Sequence, residues 1–273
     1  MKALKHPGIC KICGEYKEMS PEHIPPKHAF NSTKVMILPF EELAKTITGA
    51  EGRKPWELQG LKGTTQQGGY KKYCLCHSCN NDTGQWYMRT YTDIAKTVHT
   101  MIVEQKMAPG FSYSFKINNL FPLRLYKAVM TLMCDINNDC FGDDNLRQEL
   151  LNKERQIDTS RYSVYMYLVS GQMPRMSGIA GILDLNHAES PIMVSEIALY
   201  PLGFAMYLDK PKNYIPWGFN IDHFASYCYD QKDDIKFELP YIDINSQLPA
   251  DYRSKDAILD CVKSTNDTLG RRS

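Results

Sequence analysis

Two pairs of cysteines in the first third of the chain have the spacing of metal ligands. Cys10 and Cys13 form the first pair, and Cys76 and Cys79 form the second. Zinc prefers four ligands in a tetrahedron, and each Cys-x-x-Cys turn can supply two sulfurs on one side of the ion. The spacing predicts a structural zinc site that joins two distant segments, in preference to thiols at chance spacing or a redox pair.

Cys74 leaves the choice of ligands in the second pair open. It forms a competing Cys-x-Cys pair with Cys76, and His77 is a further candidate. We prefer Cys76, because Cys76 and Cys79 repeat the spacing of the first pair. The chain has nine cysteines and no apolar signal region at its start, which argues against a disulfide framework and favours a cytoplasmic protein.

An acid, a histidine and an amide lie beside the cysteine pairs. Glu22 and His23 are adjacent, and Asn80 directly follows the last cysteine. The acid and the amide oxygen could together hold Mg²⁺ or Mn²⁺, since hard ions prefer oxygen ligands. The histidine could then take a proton from a water that attacks a phosphodiester. Each residue alone also has a plainer interpretation, Glu22-His23 as a polar surface pair and Asn80 as a helix N-cap.

The order of these motifs resembles that of a known nuclease family. The chain reads Cys-x-x-Cys, then Glu22-His23-Ile-Pro-Pro, then Gly68-Gly, then Leu-Cys-x-x-Cys-Asn80-Asn-x-Thr-Gly. This is similar to HNH (ββα-metal) endonucleases with a four-cysteine structural zinc, phage resolvases among them. It is closer still to unassigned bacterial proteins with the pattern EHxPP…CxxCNNxTG. The resemblance covers about a third of the chain.

The resemblance implies a role for each of these residues. Glu22 and Asn80 would be ligands of the catalytic Mg²⁺ or Mn²⁺, His23 would be the general base, and DNA would be the substrate in preference to RNA. No asparagine matches the family residue that orients the histidine, which leaves a backbone carbonyl or Gln67 for that task. His28 is a second, weaker candidate for the base. The alternative function is a catalytically inactive, zinc-stapled module that binds nucleic acid or protein.

Charge gives little support for tight non-specific DNA binding, because the net charge is only +1. One segment, residues 53–72, is locally basic and contains a single acid, Glu57. Within it we single out Lys62, Lys71 and Lys72 as candidate contacts to phosphate. The alternative is an ordinary solvated loop.

Hydrophobic periodicity divides the rest of the chain into helices and strands. The pattern predicts helices over 39–48, 80–106, 121–136 and 143–153. It predicts strands over 162–170, 179–185, 192–200, 203–208 and 235–239. The expected fold class is therefore α+β, with an N-terminal zinc-stapled ββα-metal core followed by helices and a mainly antiparallel sheet.

We place the domain boundary near Met107-Ala-Pro-Gly. Residues 1–106 would form the nuclease domain, with a long insert at 31–72, and residues 107–273 a second α+β domain. That second domain could recognise nucleic acid, sense a ligand or form a homodimer. Its tyrosines and methionines at strand spacing, such as Tyr200 and Met206, are expected to be core rather than pocket. No apolar run is long enough for a bilayer, so we expect no membrane partner.

Overall fold

A small antiparallel sheet opens the chain. The computed structural model describes residues 5–47, 53–137, 139–182 and 191–261. The first sheet has the order β1-β2-β5 and contains β1 (Pro7–Ile9), β2 (Tyr16–His23) and β5 (Lys71–Cys76). The connection between β2 and β5 is not structureless. It contains β3 (Val35–Ile37) paired with β4 (Thr64–Gln66), and the predicted helix α1 (Phe40–Ile47).

A long helical segment follows β5 without a loop. Helix α2 (His77–Thr83) continues through a π-helical turn (Gly84–Met88) into α3 (Arg89–Glu104). The helix therefore begins three residues earlier than the predicted start at residue 80. Cys76, in an extended conformation, is the N-cap, so the interpretation of Asn80 as the N-cap is wrong. Asn80 instead lies inside the first turns of the helix, where its side chain faces β2.

Two further helices confirm the predictions from periodicity. Helix α4 (Pro122–Ile136) is almost entirely buried and starts with proline in its first turn, where the missing N–H costs nothing. Helix α5 (Asp144–Leu151) is capped by Asp143, whose side chain accepts hydrogen bonds from the backbone of Asn145 and Leu146. Residues 255–261 are also helical.

A seven-stranded sheet forms the other half of the fold. Its strands are β6 (Ser112–Leu120), β7 (Tyr162–Val169), β8 (Arg175–Ile182), β9 (Ile192–Leu199), β10 (Leu202–Leu208), β11 (Phe219–Asn220) and β12 (Asp233–Ile242). The order is β6-β12-β7-β10-β9-β8, with β11 beside β7. The β12–β7 pair is parallel and the other pairs are antiparallel. The sequence pattern did not predict β6, and residues 183–185 of one predicted strand lie outside the described residues.

One hydrophobic core runs through both halves of the chain. It includes Ile12 and Tyr87 from the N-terminal part, and Leu125 and Phe204 from the C-terminal part, all nearly inaccessible to solvent. Polar contacts also join the two parts, including a hydrogen bond from the Tyr87 hydroxyl to the Leu150 carbonyl. In the described part of the chain, no helix combines the length and apolar character needed to cross a membrane.

Candidate metal centre and catalytic site

Four thiols converge between the first turn of the chain and the start of α2. One sulfur from each of Cys10, Cys13, Cys76 and Cys79 lies within 4.8 Å of the others. The backbone N–H of Cys76 donates to the Cys10 sulfur at 3.4 Å. A hydrogen bond with the Cys79 thiol, together with such backbone donors, lowers the pKa of Cys10. Thiolates are the form that binds metal, so the cluster fits a tetrahedral structural ion.

Cys74 lies outside this cluster. Its side chain is buried elsewhere, 3.9 Å from the Lys72 carbonyl oxygen and near Asp135. Burial raises the pKa of the Cys74 thiol far above its usual value. The four converging sulfurs do not include Cys74, so the geometry agrees with the choice of Cys76.

A strand, a second strand and a helix bring Glu22, His23 and Asn80 together. In the antiparallel pair β2–β5, Glu22 lies opposite Lys72 and His23 opposite Lys71. Because α2 follows β5 directly, its first turns pack against the end of β2. The Asn80 amide nitrogen donates to the Ser20 hydroxyl at 2.9 Å. This is a ββα arrangement, with the acid and the histidine at the end of one strand and the amide on the helix.

The Glu22 carboxyl lies beside the Asn80 side chain in a nearly dry position. Glu22 is only 9% exposed. Burial raises the pKa of Glu22 to about 7, and a hydrogen bond with the Asn80 side chain opposes that shift. No charged group among the described residues contributes to this shift, so within that part of the chain the acid lacks a positive partner. The Asn80 amide presents its nitrogen to β2 and to Glu22, so the amide would have to turn over to place its oxygen beside the carboxylate. A carboxylate and an amide oxygen are hard donors of the kind that Mg²⁺ and Mn²⁺ accept.

The orientation of His23 is set by a backbone carbonyl. Its Nε2 atom lies 3.1 Å from the carbonyl oxygen of Gly68. A carbonyl oxygen can only accept, so Nε2 carries the hydrogen and Nδ1 keeps its lone pair. The sequence left a backbone carbonyl or Gln67 as the group that orients His23, and the carbonyl makes this contact. Gln67 is exposed.

The surroundings of His23 keep the imidazole neutral near pH 7. Partial burial is the main cause that lowers the pKa of His23, and the positive charges of Lys71 and Lys27, together with His28, lower it further. The hydrogen bond to Gly68 works in the opposite direction. A neutral imidazole with a free nitrogen is the form that can accept a proton.

Asn31 and Gly69 hold the Gly68 carbonyl in place. Gly69 belongs to the Gly-Gly motif singled out in the sequence, whereas no motif pointed to Asn31. The Asn31 amide nitrogen donates to the carbonyls of Pro25 and Tyr70, and its oxygen accepts from the Tyr70 N–H. Gly69 has φ +95°, and a Cβ there would lie 2.0 Å from the Asn31 carbonyl oxygen. Only glycine fits this close approach.

No protein-family model, curated protein or solved structure matches the sequence or its fold.

The three candidate basic residues have different surroundings. Lys71 lies directly opposite His23 in the sheet, and Lys62 is exposed. The Lys72 ammonium instead donates to the carbonyl oxygens of Asp135 and Ile136 at 2.9 and 3.4 Å, where it caps the end of α4. Lys71 is thus the candidate closest to the histidine. His28 is exposed on the neighbouring loop and is not in contact with Glu22 or Asn80 in the part of the chain that the structure describes.

Asp135 is an acid behind the site that sequence reasoning missed. It is fully buried on α4, where the Cys74 thiol is its hydrogen-bonding neighbour. Burial raises its pKa well above the usual value, and the nearby Glu22 adds to the shift. The sequence signal that could have identified it is a single acid near the end of the mainly apolar helix α4. The arrangement thus consists of two buried acids, an amide and a neutral imidazole beside a four-thiol cluster.

Proposed function

We propose that this chain is a metal-dependent endonuclease of the HNH type that hydrolyses phosphodiester bonds of DNA. The observation that carries the proposal is the orientation of His23. Its Nε2–H is committed to the Gly68 carbonyl, while the Glu22–Asn80 pair lies at the end of the same strand. Metal-assisted hydrolysis needs a general base with a free nitrogen and a nearby site for a cation.

Each residue has a distinct task in this proposal. His23 Nδ1 accepts the proton of the attacking water, and the Gly68 carbonyl keeps the ring from turning as the imidazole becomes charged. Glu22 and Asn80 hold Mg²⁺ or Mn²⁺. When bound, such an ion stabilises negative charge on the phosphate and on the leaving oxygen. Binding requires that Glu22 lose its proton, because the carboxylate is the ligand form.

Lys71 and Lys62 would contact the phosphate backbone. The side chain opposite His23 in the sheet is Lys71, which gives the scissile phosphate a positive neighbour. The four-cysteine cluster would hold zinc, which fixes the turn before β2 against the start of α2 and so keeps His23 and Asn80 at a constant separation.

One alternative has support of its own. The burial of Glu22 and the near-neutral net charge favour a zinc-stapled module that binds nucleic acid or protein without cutting. Such a module would bind DNA in the presence and absence of Mg²⁺ and leave it intact.

The proposal is tested by nicking of supercoiled plasmid with Mg²⁺, with Mn²⁺ and without added divalent ion, in parallel with a labelled RNA. We expect metal-dependent nicking of DNA that exceeds RNA cleavage. Glu22→Gln keeps the shape of the side chain and removes its charge, so cutting should need a much higher Mg²⁺ concentration. Nicking by Glu22→Gln at wild-type Mg²⁺ would contradict the assignment of Glu22. Absence of cutting on any substrate, with DNA binding retained, would support the alternative.

A further inference from the structure

A large cavity lies next to the loop that holds His23, and neither the proposed cation site nor the zinc cluster uses it. Its volume is about 940 Å³. Its walls come from residues 30–43, from 56–59, from Tyr70, and from 170–176 with the neighbouring Tyr200 and Gln247. Sites that bury a small ligand measure roughly 300–1,000 Å³. The cavity is therefore large enough for a base together with its sugar and phosphate.

The cavity is connected to the catalytic loop by backbone hydrogen bonds. Gly69 donates to the Thr33 carbonyl, and Ile24 donates to the Tyr70 carbonyl. Thr33 and Tyr70 both line the cavity. Gly68, which orients His23, is two residues from Tyr70. The loop that orients His23 therefore also forms part of the cavity wall.

The lining suits a flat, heteroaromatic, anionic group. Four aromatic side chains line the cavity: Phe30, Trp56, Tyr70 and Tyr200. The amides of three glutamines, Gln59, Gln172 and Gln247, offer both donors and acceptors. Among the described lining residues Lys34 is the only charged one, so the cavity favours an anion and disfavours a basic ligand.

Ser170 also lines the cavity, but its hydroxyl oxygen is buried beneath the cavity surface. The residue is 8% exposed, and the hydroxyl has no hydrogen-bond partner in the part of the chain that the structure describes. The rings and amides of the lining, and not this inaccessible hydroxyl, are the groups that a ligand would contact. Tyr200 packs against the core, as the sequence pattern predicted, and also forms one wall of the cavity; its hydroxyl bonds to His99.

We propose that this cavity binds an unstacked nucleotide of the nucleic acid that is cut at His23. This inference rests on the proposed function and adds that the substrate is single-stranded or locally unpaired. Bases taken out of a duplex are recognised by aromatic stacking and by hydrogen bonds to their edges, which the four rings and three amides supply. A free mononucleotide shares this chemistry and is the other possible source of the ligand.

Gly171→Leu is the variant that places a bulky side chain against the Tyr200 wall of the cavity. A Cβ at Gly171 would lie 3.8 Å from Tyr200 Cβ, an ordinary contact, so the backbone accepts a side chain there. Gly181→Leu is the matched control, since a Cβ there meets Met193 Sδ at 3.5 Å, on β8 and outside the cavity lining. If Gly171→Leu does not fold, Gln172→Ala combined with Gln247→Ala replaces it, because both amides line the cavity without filling it.

The experiment measures the anisotropy of a labelled single-stranded oligonucleotide without added divalent ion, so that no cutting is involved. We expect the wild type to bind it roughly tenfold more tightly than the blunt duplex of the same sequence. Gly171→Leu should lose roughly tenfold in affinity, while Gly181→Leu stays within about twofold of wild type. Wild-type affinity in Gly171→Leu, or equal binding of the duplex, would overturn the inference.

Competition distinguishes the two sources of the ligand. Displacement of the oligonucleotide by a mononucleotide of similar affinity would overturn the substrate assignment in favour of a free nucleotide. Weak displacement supports the substrate assignment. The proposed function is tested by a different experiment. If the plasmid assay shows no nicking, the nuclease proposal fails, while the metal-free binding result is unchanged.

Discussion

At the residue scale, the chemistry of His23 depends on a carbonyl that belongs to a residue 45 positions away. The Gly68 oxygen fixes which imidazole nitrogen is free. That contact exists because Asn31 and Gly69 pack backbone against backbone. The sequence predicts that Glu22, His23 and Asn80 lie in one region, because the two cysteine pairs beside them are expected to share one ion. It cannot identify a backbone acceptor, because every residue carries one.

Gly69→Ala tests this orientation. The left-handed conformation alone would cost about 1–3 kcal/mol, and the clash with Asn31 would displace the loop that presents Gly68. We expect lower stability in urea unfolding and nicking slowed by about tenfold or more. In Gly84→Ala, by contrast, a Cβ meets no atom within 4 Å, so both properties should match wild type. Unchanged nicking in Gly69→Ala would show that the loop does not position His23.

Asp135 should make the stability of the chain depend on pH. Its folded-state pKa is raised above the usual 3.8, mainly by burial. Folding therefore favours the protonated acid, and the resulting stability is lost as pH rises from about 4 through the folded-state pKa. Wild type should lose up to about 1.4 kcal/mol of stability per pH unit in this range. Asp135→Asn mimics the protonated form, so its stability should fall less with pH.

The measurement is the free energy of urea unfolding between pH 5 and 8 with zinc in excess. As pH rises, the free energy of unfolding of Asp135→Asn should increase relative to that of wild type. The free energy of unfolding of Asp93→Asn, at an exposed position on α3, should follow the wild-type values. Parallel curves for wild type and Asp135→Asn would contradict the account of this acid.

At the element scale, β2, β5 and α2 form the unit that positions the site. The long helices and most strands were predictable, because their hydrophobic periods are regular over many residues. The start of α2 was not predictable in this way, because Cys76 rather than an asparagine is its N-cap. Strand β6 was missed beside the predicted boundary, although Tyr113, Phe115 and Ile117 alternate along it. Lys72 lies in a locally basic segment and was predicted to contact phosphate, yet its ammonium group caps the C-terminal end of α4.

The second cysteine pair allows a direct test of the metal cluster. Cys76→Ser removes one of four converging thiols and should lose most of the bound zinc and much of the stability. Cys74→Ser alters a buried thiol outside the cluster and should keep about one zinc per chain. Elemental analysis of both purified variants gives the answer. Zinc retained in Cys76→Ser and lost in Cys74→Ser would reverse the ligand assignment.

At the scale of the whole molecule, the predicted division after residue 106 crosses a continuous core. Tyr87 donates to the Leu150 carbonyl at 2.9 Å, and the Cys140 thiol contacts the Lys11 carbonyl at 3.2 Å. Composition and a Pro-Gly break suggested the boundary, but a break in periodicity does not reveal which apolar surfaces pack together afterwards.

A fragment of residues 1–106 tests the division. Without α4 and the large sheet, residues such as Ile12 and Tyr87 lose part of their core, so the fragment should unfold without a cooperative transition even with zinc. The full chain provides the control. A cooperative transition in the fragment would instead support the two-domain division.

The central claim is that His23 acts as the base for metal-dependent cutting of DNA. The most direct measurement is the Mg²⁺-dependent plasmid-nicking rate of wild type, His23→Ala and His28→Ala, each with its zinc content measured. We predict that His23→Ala retains zinc and loses about 100-fold to 10,000-fold in rate, as expected for removal of a general base. His28→Ala, the exposed neighbour, should keep a rate near wild type. Cutting by zinc-loaded His23→Ala at the wild-type rate would contradict the claim.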